Sequence, residues 1–232
     1  MKIAVSHLTR MQPGYICVAG IDLNNGKHVR PVLGRRLGVD LLLKNGGVFE
    51  IGAMVDLGPT RFVGTAPELE DHQFNSGNLK LLGMAEPQDF WNMIQQEAAT
   101  DLAAVFGPCL ARHGRACAVD LNQGAASLGC LVLPTGSSLY VDPYDKIRLR
   151  LDDGTFAPAF SVTDLRLYED DQETPRHRLI RSLADRLVKE DVLLSVGLSR
   201  PWKKPRDTEE RHWVQVNNMH FKNDPLGRRT FS

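Results

Sequence analysis

Aromatic side chains make up only 7% of the 232 residues, cysteine occurs four times, and 28 basic side chains are balanced by 28 acidic ones. Each shortage removes a class of protein. So few aromatics provide no rich platform on which unpaired bases would stack. Cys17, Cys109, Cys117 and Cys130 lie far apart with no CxxC pair, so neither a zinc knuckle nor a disulfide framework is expected. Reduced thiols in a cytoplasmic protein are the expectation. A net charge of zero exerts no bulk pull on nucleic acid. No apolar run approaches the length of a membrane span, and Met1 to Val5 lead straight into a strand pattern rather than a signal peptide. A Walker-type loop, GxGxxG, HExxH, GxSxG and the kinase signatures are all missing, so no cofactor, metal or catalytic residue is expected.

What the chain does have is an ordinary hydrophobic content of 42% and a short element that occurs near both ends. Leu8-Thr9-Arg10 follows an apolar run and precedes Tyr15 to Ile21. Leu198-Ser199-Arg200 follows Val192 to Gly197 and precedes Trp213 to Met219. Both read as strand, hydroxyl–arginine corner, then a second strand opened by an aromatic residue. Such a repeat suggests two related β units on one plan.

Between these ends the pattern is mostly short strands and turns. Pro13-Gly14 and Asn24-Asn25-Gly26 mark turns, because glycine and asparagine tolerate positive φ. Phe49 to Leu57 places Ile51, Ala53, Val55 and Leu57 on one face. Phe90, Trp91, Ile94, Ala98, Leu102 and Val105 recur at helical spacing from Pro87 until Gly107-Pro108 must end the run. Trp91 is expected to anchor the core there. Lys146 to Leu151 alternates, with Ile147, Leu149 and Leu151 inward and Lys146, Arg148 and Arg150 outward. Asp153-Gly154 signals a hairpin, and Phe156, Phe160 and Tyr168 read as core. A further helix is expected with Thr174 as N-cap, Pro175 first, and Leu179, Ile180, Leu183, Leu187 and Val188 on its buried face. The expected fold is mainly β with a few helices. Two OB-like small β-barrels are joined by a helical segment, residues 1–126 carrying the first and 127–232 the second.

Candidate functional residues are mostly cations. Arg10 and Arg200 either present a planar fork to phosphate or brace carbonyls and a carboxylate inside the fold. Arg30 belongs to a basic group with Lys27, Arg35 and Arg36. Lys146, Arg148 and Arg150 either follow a phosphate backbone or form an ordinary solvated face. Trp202 stands beside Lys203 and Lys204, a grouping suited to stacking and phosphate contact. Asn217 and Asn218 lie within an apolar strand, where a buried amide needs backbone or a ligand. Glu68, Glu70, Asp71 and His72 offer an alternative in which a metal at this loop serves a nucleotide- or nucleic-acid-processing enzyme. The simpler reading of that loop is a solvated acidic turn. A protein-binding scaffold is a third class.

Several of these segments together resemble a bacterial family of uncharacterised proteins carrying a dual OB-containing domain. They are Leu8-Thr9-Arg10, Pro67 to Asp71, Phe106-Gly107, Ser127-Leu128-Gly129, Val162 to Arg166, Leu198 to Pro201 and Trp213 to Asn218. The resemblance spans nearly the whole chain and implies two OB-like barrels that bind nucleic acid in mobile-element or defence loci. It implies no established reaction. In this chain His72 follows the carboxylates, whereas the pattern has a histidine before them. On this reading Arg10, Arg30, Lys146, Arg148, Arg150, Arg200, Trp202, Lys203, Lys204 and Asn217 contact single-stranded DNA or RNA, with no membrane partner.

Overall fold

The computed structural model describes residues 1–152, 157–205 and 207–231. The Asp153-Gly154 turn, Phe156 and Arg206 lie outside the described residues. Turn residues and apolar alternation divide the first half into eight strands. These are β1 (Lys2–Arg10), β2 (Tyr15–Asp22), β3 (His28–Val32), β4 (Leu37–Gly38), β5 (Ala53–Asp56), β6 (Arg61–Phe62), β7 (Asp71–Gln73) and β8 (Lys80–Met84). They pair in the order β6-β7-β3-β2-β1-β5-β8, with β4 on β2. The β2–β3 turn closes as Asn24 N–H donates to Asp22 Oδ1 and Gly26 takes φ 75°.

The helical run expected from Pro87 to Val105 is broken in two: α1 (Pro87–Gln96) and α2 (Leu102–Phe106), with β9 (Ala98–Ala99) between them. Ala98 and Ala99 pair in parallel with Cys130 and Leu131, which draws the backbone out of the helix. Asp101 then starts a new one by accepting from Ala104 N–H at 2.8 Å. Phe90, Trp91 and Ile94 of α1 are buried in the first core, Trp91 as its expected anchor.

The rest of the chain forms β10 (Ala111–His113), β11 (Ala116–Asp120), β12 (Leu128–Val132), β13 (Ser138–Val141), β14 (Ile147–Arg150), β15 (Ala159–Val162), α3 (His177–Leu187), β16 (Val192–Leu198) and β17 (Arg211–Phe221). Their sheet runs β13-β14-β15-β17-β16-β12-β9, and β11 joins β10 to β17. Sheet membership therefore changes at α1. The second core gathers Phe106, Leu149, Phe160, Leu183, Val196 and Phe221 around this sheet. The fold is mainly β, as expected, but neither sheet closes on itself among the described residues. One edge strand in each, β6 or β9, is only two residues long.

α3 begins later than its sequence signals suggest. Asp171 Oδ1 accepts from Thr174 N–H at 2.8 Å and Asp171 Oδ2 from its hydroxyl at 2.5 Å, so Thr174 belongs to a preceding turn. Ile180, Leu183 and Leu187 face the core as expected. Val188 does not: it sits at the C-cap and is 72% exposed.

The two sheets are joined where β1 meets β17, and both strands are bulged there. Ser6 is the extra residue on β1, since Val5 pairs with Gly20 and His7 with Ala19. Asn217 is the extra residue on β17, since Val196 pairs with Val216 and Ser195 with Asn218. The irregularities leave backbone groups to be satisfied from the opposite half. Leu8 N–H donates to Asn218 Oδ1 at 2.7 Å, and Asn218 Nδ2 donates back to Leu8 O at 3.2 Å. The Asn218 amide thus serves Leu8 as a neighbouring peptide would. Ser195 Oγ donates to Ser6 O at 2.7 Å and lies 3.0 Å from His220 Nε2. All of these residues are buried.

Burial, reinforced by the Arg166 charge, lowers the His220 pKa from 6.5 to about 4. Between those values the unfolded chain binds the proton that the folded chain refuses. Stability contributed by neutral His220 is therefore complete above about pH 6.5 and is lost as pH falls toward 4. The expected slope from this residue is about 1.4 kcal/mol per pH unit. Urea unfolding at pH 5 and pH 6 should show it in the native chain. In His220→Gln the protein should be less stable at pH 7 and its pH dependence flatter by that amount.

Candidate functional site

The hydroxyl–arginine corners flank a cleft of about 670 Å³ between the two sheets. One wall carries Arg10, Arg30, Arg35 and Arg36; the other carries Arg200 and Asn217. The two corners share an outline but differ in their bonds. The hydroxyl ties the corner to the partner strand: Thr9 Oγ1 donates to Cys17 O at 3.4 Å, and Ser199 Oγ accepts from Trp213 N–H at 2.9 Å. The arginine then crosses to the opposite half.

Arg10 Nη1 donates to Gln172 O at 2.5 Å, and its guanidinium carbon lies 4.3 Å from the centre of the Tyr168 ring. Gln172 returns the contact. Its Oε1 accepts from Gly14 N–H at 2.6 Å and its Nε2 donates to Tyr15 O at 3.3 Å. In the other direction, Arg200 Nη1 lies 2.6 Å from Glu68 Oε1 and Nη2 lies 3.1 Å from Asp71 Oδ2. Arg30 Nε reaches Asp71 Oδ1 at 2.5 Å. Burial works against the charge of Arg200, but the carboxylates of Asp71 and Glu68 outweigh it and raise the pKa above the ordinary arginine value.

These contacts correct the picture of a solvated acidic turn. Glu70 and Asp71 are each only 7% exposed. Glu70 Oε1 accepts from Ser127 N–H at 2.8 Å and Leu128 N–H at 3.2 Å, while Oε2 accepts from the Ser127 hydroxyl at 2.7 Å. The loop is a clasp between the halves. The metal-dependent reading fares no better, because each carboxylate is taken by guanidinium or amide donors. His72 turns away: its Nδ1 is 3.0 Å from Glu70 O and its ring meets the Phe62 edge.

Arg35 and Arg36 differ from the bracing arginines. Both are exposed, and neither forms an ion pair with a carboxylate among the described residues. Arg36 donates to Gln12 Oε1 and lies 5.6 Å from the centre of the Tyr15 ring. The sequence groups them with Arg30, but nothing in the chain order tells which of the three is occupied by a buried acid.

The remaining cations lie elsewhere. Arg148 pairs with Asp142 at 2.8 Å and donates to Ser161 Oγ at 2.6 Å; Arg150 lies 3.3 Å from Asp152. Lys146 and Lys203 are exposed. Lys204 Nζ sits 3.4 Å from the centre of the Trp213 ring, and Trp202, 52% exposed, accepts from Trp213 Nε1 through its carbonyl at 2.9 Å. None of these six residues lines the cleft. Arg10, Arg30, Arg200 and Asn217 do.

Removing the clasp should weaken the fold measurably. Glu70→Ala strands two buried amide donors and a hydroxyl, and should cost about 2–4 kcal/mol in denaturant unfolding. Leu69→Ala, at the exposed neighbouring position, should change stability by less than about 0.5 kcal/mol.

No helix among the described residues is long and apolar enough to cross a membrane. No curated protein matches the chain. A family model described as the dual OB-containing domain matches residues 1–219, a span that includes both corners, the clasp and both walls of the cleft. The chain therefore belongs to the dual OB-containing domain family.

Proposed function

We propose that the chain binds single-stranded nucleic acid along the cleft between its sheets. The observation that carries this reading is the charge of the lining. Of the five arginines that line it, Arg30 and Arg200 pair with the carboxylates of Asp71 and Glu68, and the exposed pair Arg35 and Arg36 has no carboxylate of its own among the described residues. A cleft of about 670 Å³ is large enough for more than a lone anion. Ile16, Leu33, Leu37 and Leu198 give it apolar surface beside the cations, as a base and its phosphate require. Tyr15, 39% exposed beneath Arg36, offers a ring at the cleft margin for stacking. In this reading Arg10, Arg30 and Arg200 hold the walls in place, and Arg35 and Arg36 meet phosphate. Membership of a family with a dual OB-containing domain supports the same conclusion. Lys146, Arg148, Arg150 and residues 202–204 lie outside the cleft and would meet only a strand that runs beyond it.

Fluorescence polarisation with labelled single-stranded DNA and RNA, repeated across salt, tests this. Binding should weaken as salt rises. The double change Arg35→Ala with Arg36→Ala should reduce affinity at least tenfold and lower the salt slope by about 1.4, or about 0.7 for each phosphate no longer neutralised. Lys146→Ala with Lys203→Ala should have a smaller effect. A larger effect from the lysine pair would move the interface to the outer patch, and no binding at micromolar protein would refute the proposal.

A further inference from the structure

Behind the Asn217 wall, three potential metal ligands converge from strands distant in sequence. His7 lies on β1, His28 opens β3 and Cys130 lies on β12, and one donor atom of each lies within 4.8 Å of the other two. His28 Nε2 is 3.6 Å from Cys130 Sγ. A thiolate and an imidazole on one tetrahedral Zn²⁺, at about 2.3 Å and about 2.0–2.1 Å, are separated by about 3.6 Å. The His7 and His28 rings meet edge to face, with centroids 5.4 Å apart.

His7 provides the second, independent observation. It is 1% exposed, its Nδ1 is 3.0 Å from Asn217 Nδ2, and its Nε2 is buried without a hydrogen-bond partner among the described residues. A buried ring nitrogen with no partner carries a desolvation cost. For Nε2 to hold an ion, Nδ1 must carry the ring proton and donate it, so the Asn217 amide would turn its Oδ1 toward the ring and serve as the outer acceptor that fixes metal-bound histidines. Local charge is compatible. Arg30 of the cleft wall is paired with Asp71, and the Glu97 carboxylate lies beside Gly26 at the turn leading to His28.

We propose that His7 Nε2, His28 Nε2 and Cys130 Sγ bind one divalent d-block cation of the Zn²⁺ kind, with the fourth position taken by water. Nitrogen and sulfur donors favour such an ion over Mg²⁺ or Ca²⁺. Binding replaces the Cys130 S–H bond with a sulfur–metal bond and releases the proton to solvent, with no change of oxidation state. Because His7 and His28 belong to the first sheet and Cys130 to the second, the ion would staple the halves behind the cleft.

The full chain, stripped with chelator, is titrated with Co²⁺ alone. One equivalent should produce a thiolate-to-cobalt charge-transfer band and tetrahedral d–d absorption, and Zn²⁺ should abolish both by displacement. Cys130→Ser should lose the charge-transfer band, whereas Cys117→Ser, changed at a buried thiol outside the cluster, should keep it. His28→Gln, at a half-buried position less critical to folding, should weaken Co²⁺ binding at least tenfold. The proposal is overturned if the native chain gives no charge-transfer band, if the band survives in a folded Cys130→Ser variant, or if His28→Gln binds Co²⁺ as tightly as the native chain.

Discussion

The seam between β1 and β17 is the constraint on which the rest of the molecule depends. A bulge on each strand frees backbone and side-chain polar groups, and several of these are satisfied from the other sheet. Asn218 occupies the place of a missing strand beside Leu8, and Ser195 does the same for Ser6. An apolar seam would allow the sheets to slide. A buried polar seam does not, since any displacement leaves several donors and acceptors unpaired at once.

From this seam the corners extend in opposite directions. Arg10 enters the loop around Gln172 in the second half, and Arg200 enters the acidic loop of the first. The exchange keeps open a cleft that the apolar contacts alone would not define. Asp71 serves two arginines from opposite walls, Arg30 and Arg200, so one buried carboxylate sets the cleft's width and part of its potential. The cations that brace and the cations that face solvent are thereby distinguished by their acids, not by their chemistry.

Much of the strand pattern is legible because it is local. The Asn24-Asn25-Gly26 turn, the alternation of Ile147, Leu149 and Leu151, and the buried face of α3 all follow from neighbours within a few residues. Expectation and structure part where the deciding partners are distant in sequence. The α1 run breaks because Ala98 and Ala99 pair with β12, more than thirty residues away. Glu68, Glu70 and Asp71 look like a solvated loop because their partners Arg200, Ser127 and Leu128 are remote in the chain.

By itself the sequence determined the β-rich class, the turns, and a duplicated corner with an arginine at each copy, since these depend on side-chain period and backbone preference over short spans. Only the tertiary structure decided that the two arginines cross between halves, that the acidic loop is a clasp, and that Arg35 and Arg36 remain exposed on the cleft. It also decided that donor atoms of His7, His28 and Cys130 lie within 4.8 Å of one another. Ion pairing and ligand convergence depend on distance through space, and the bulged seam, which sets those distances, joins residues about 210 positions apart.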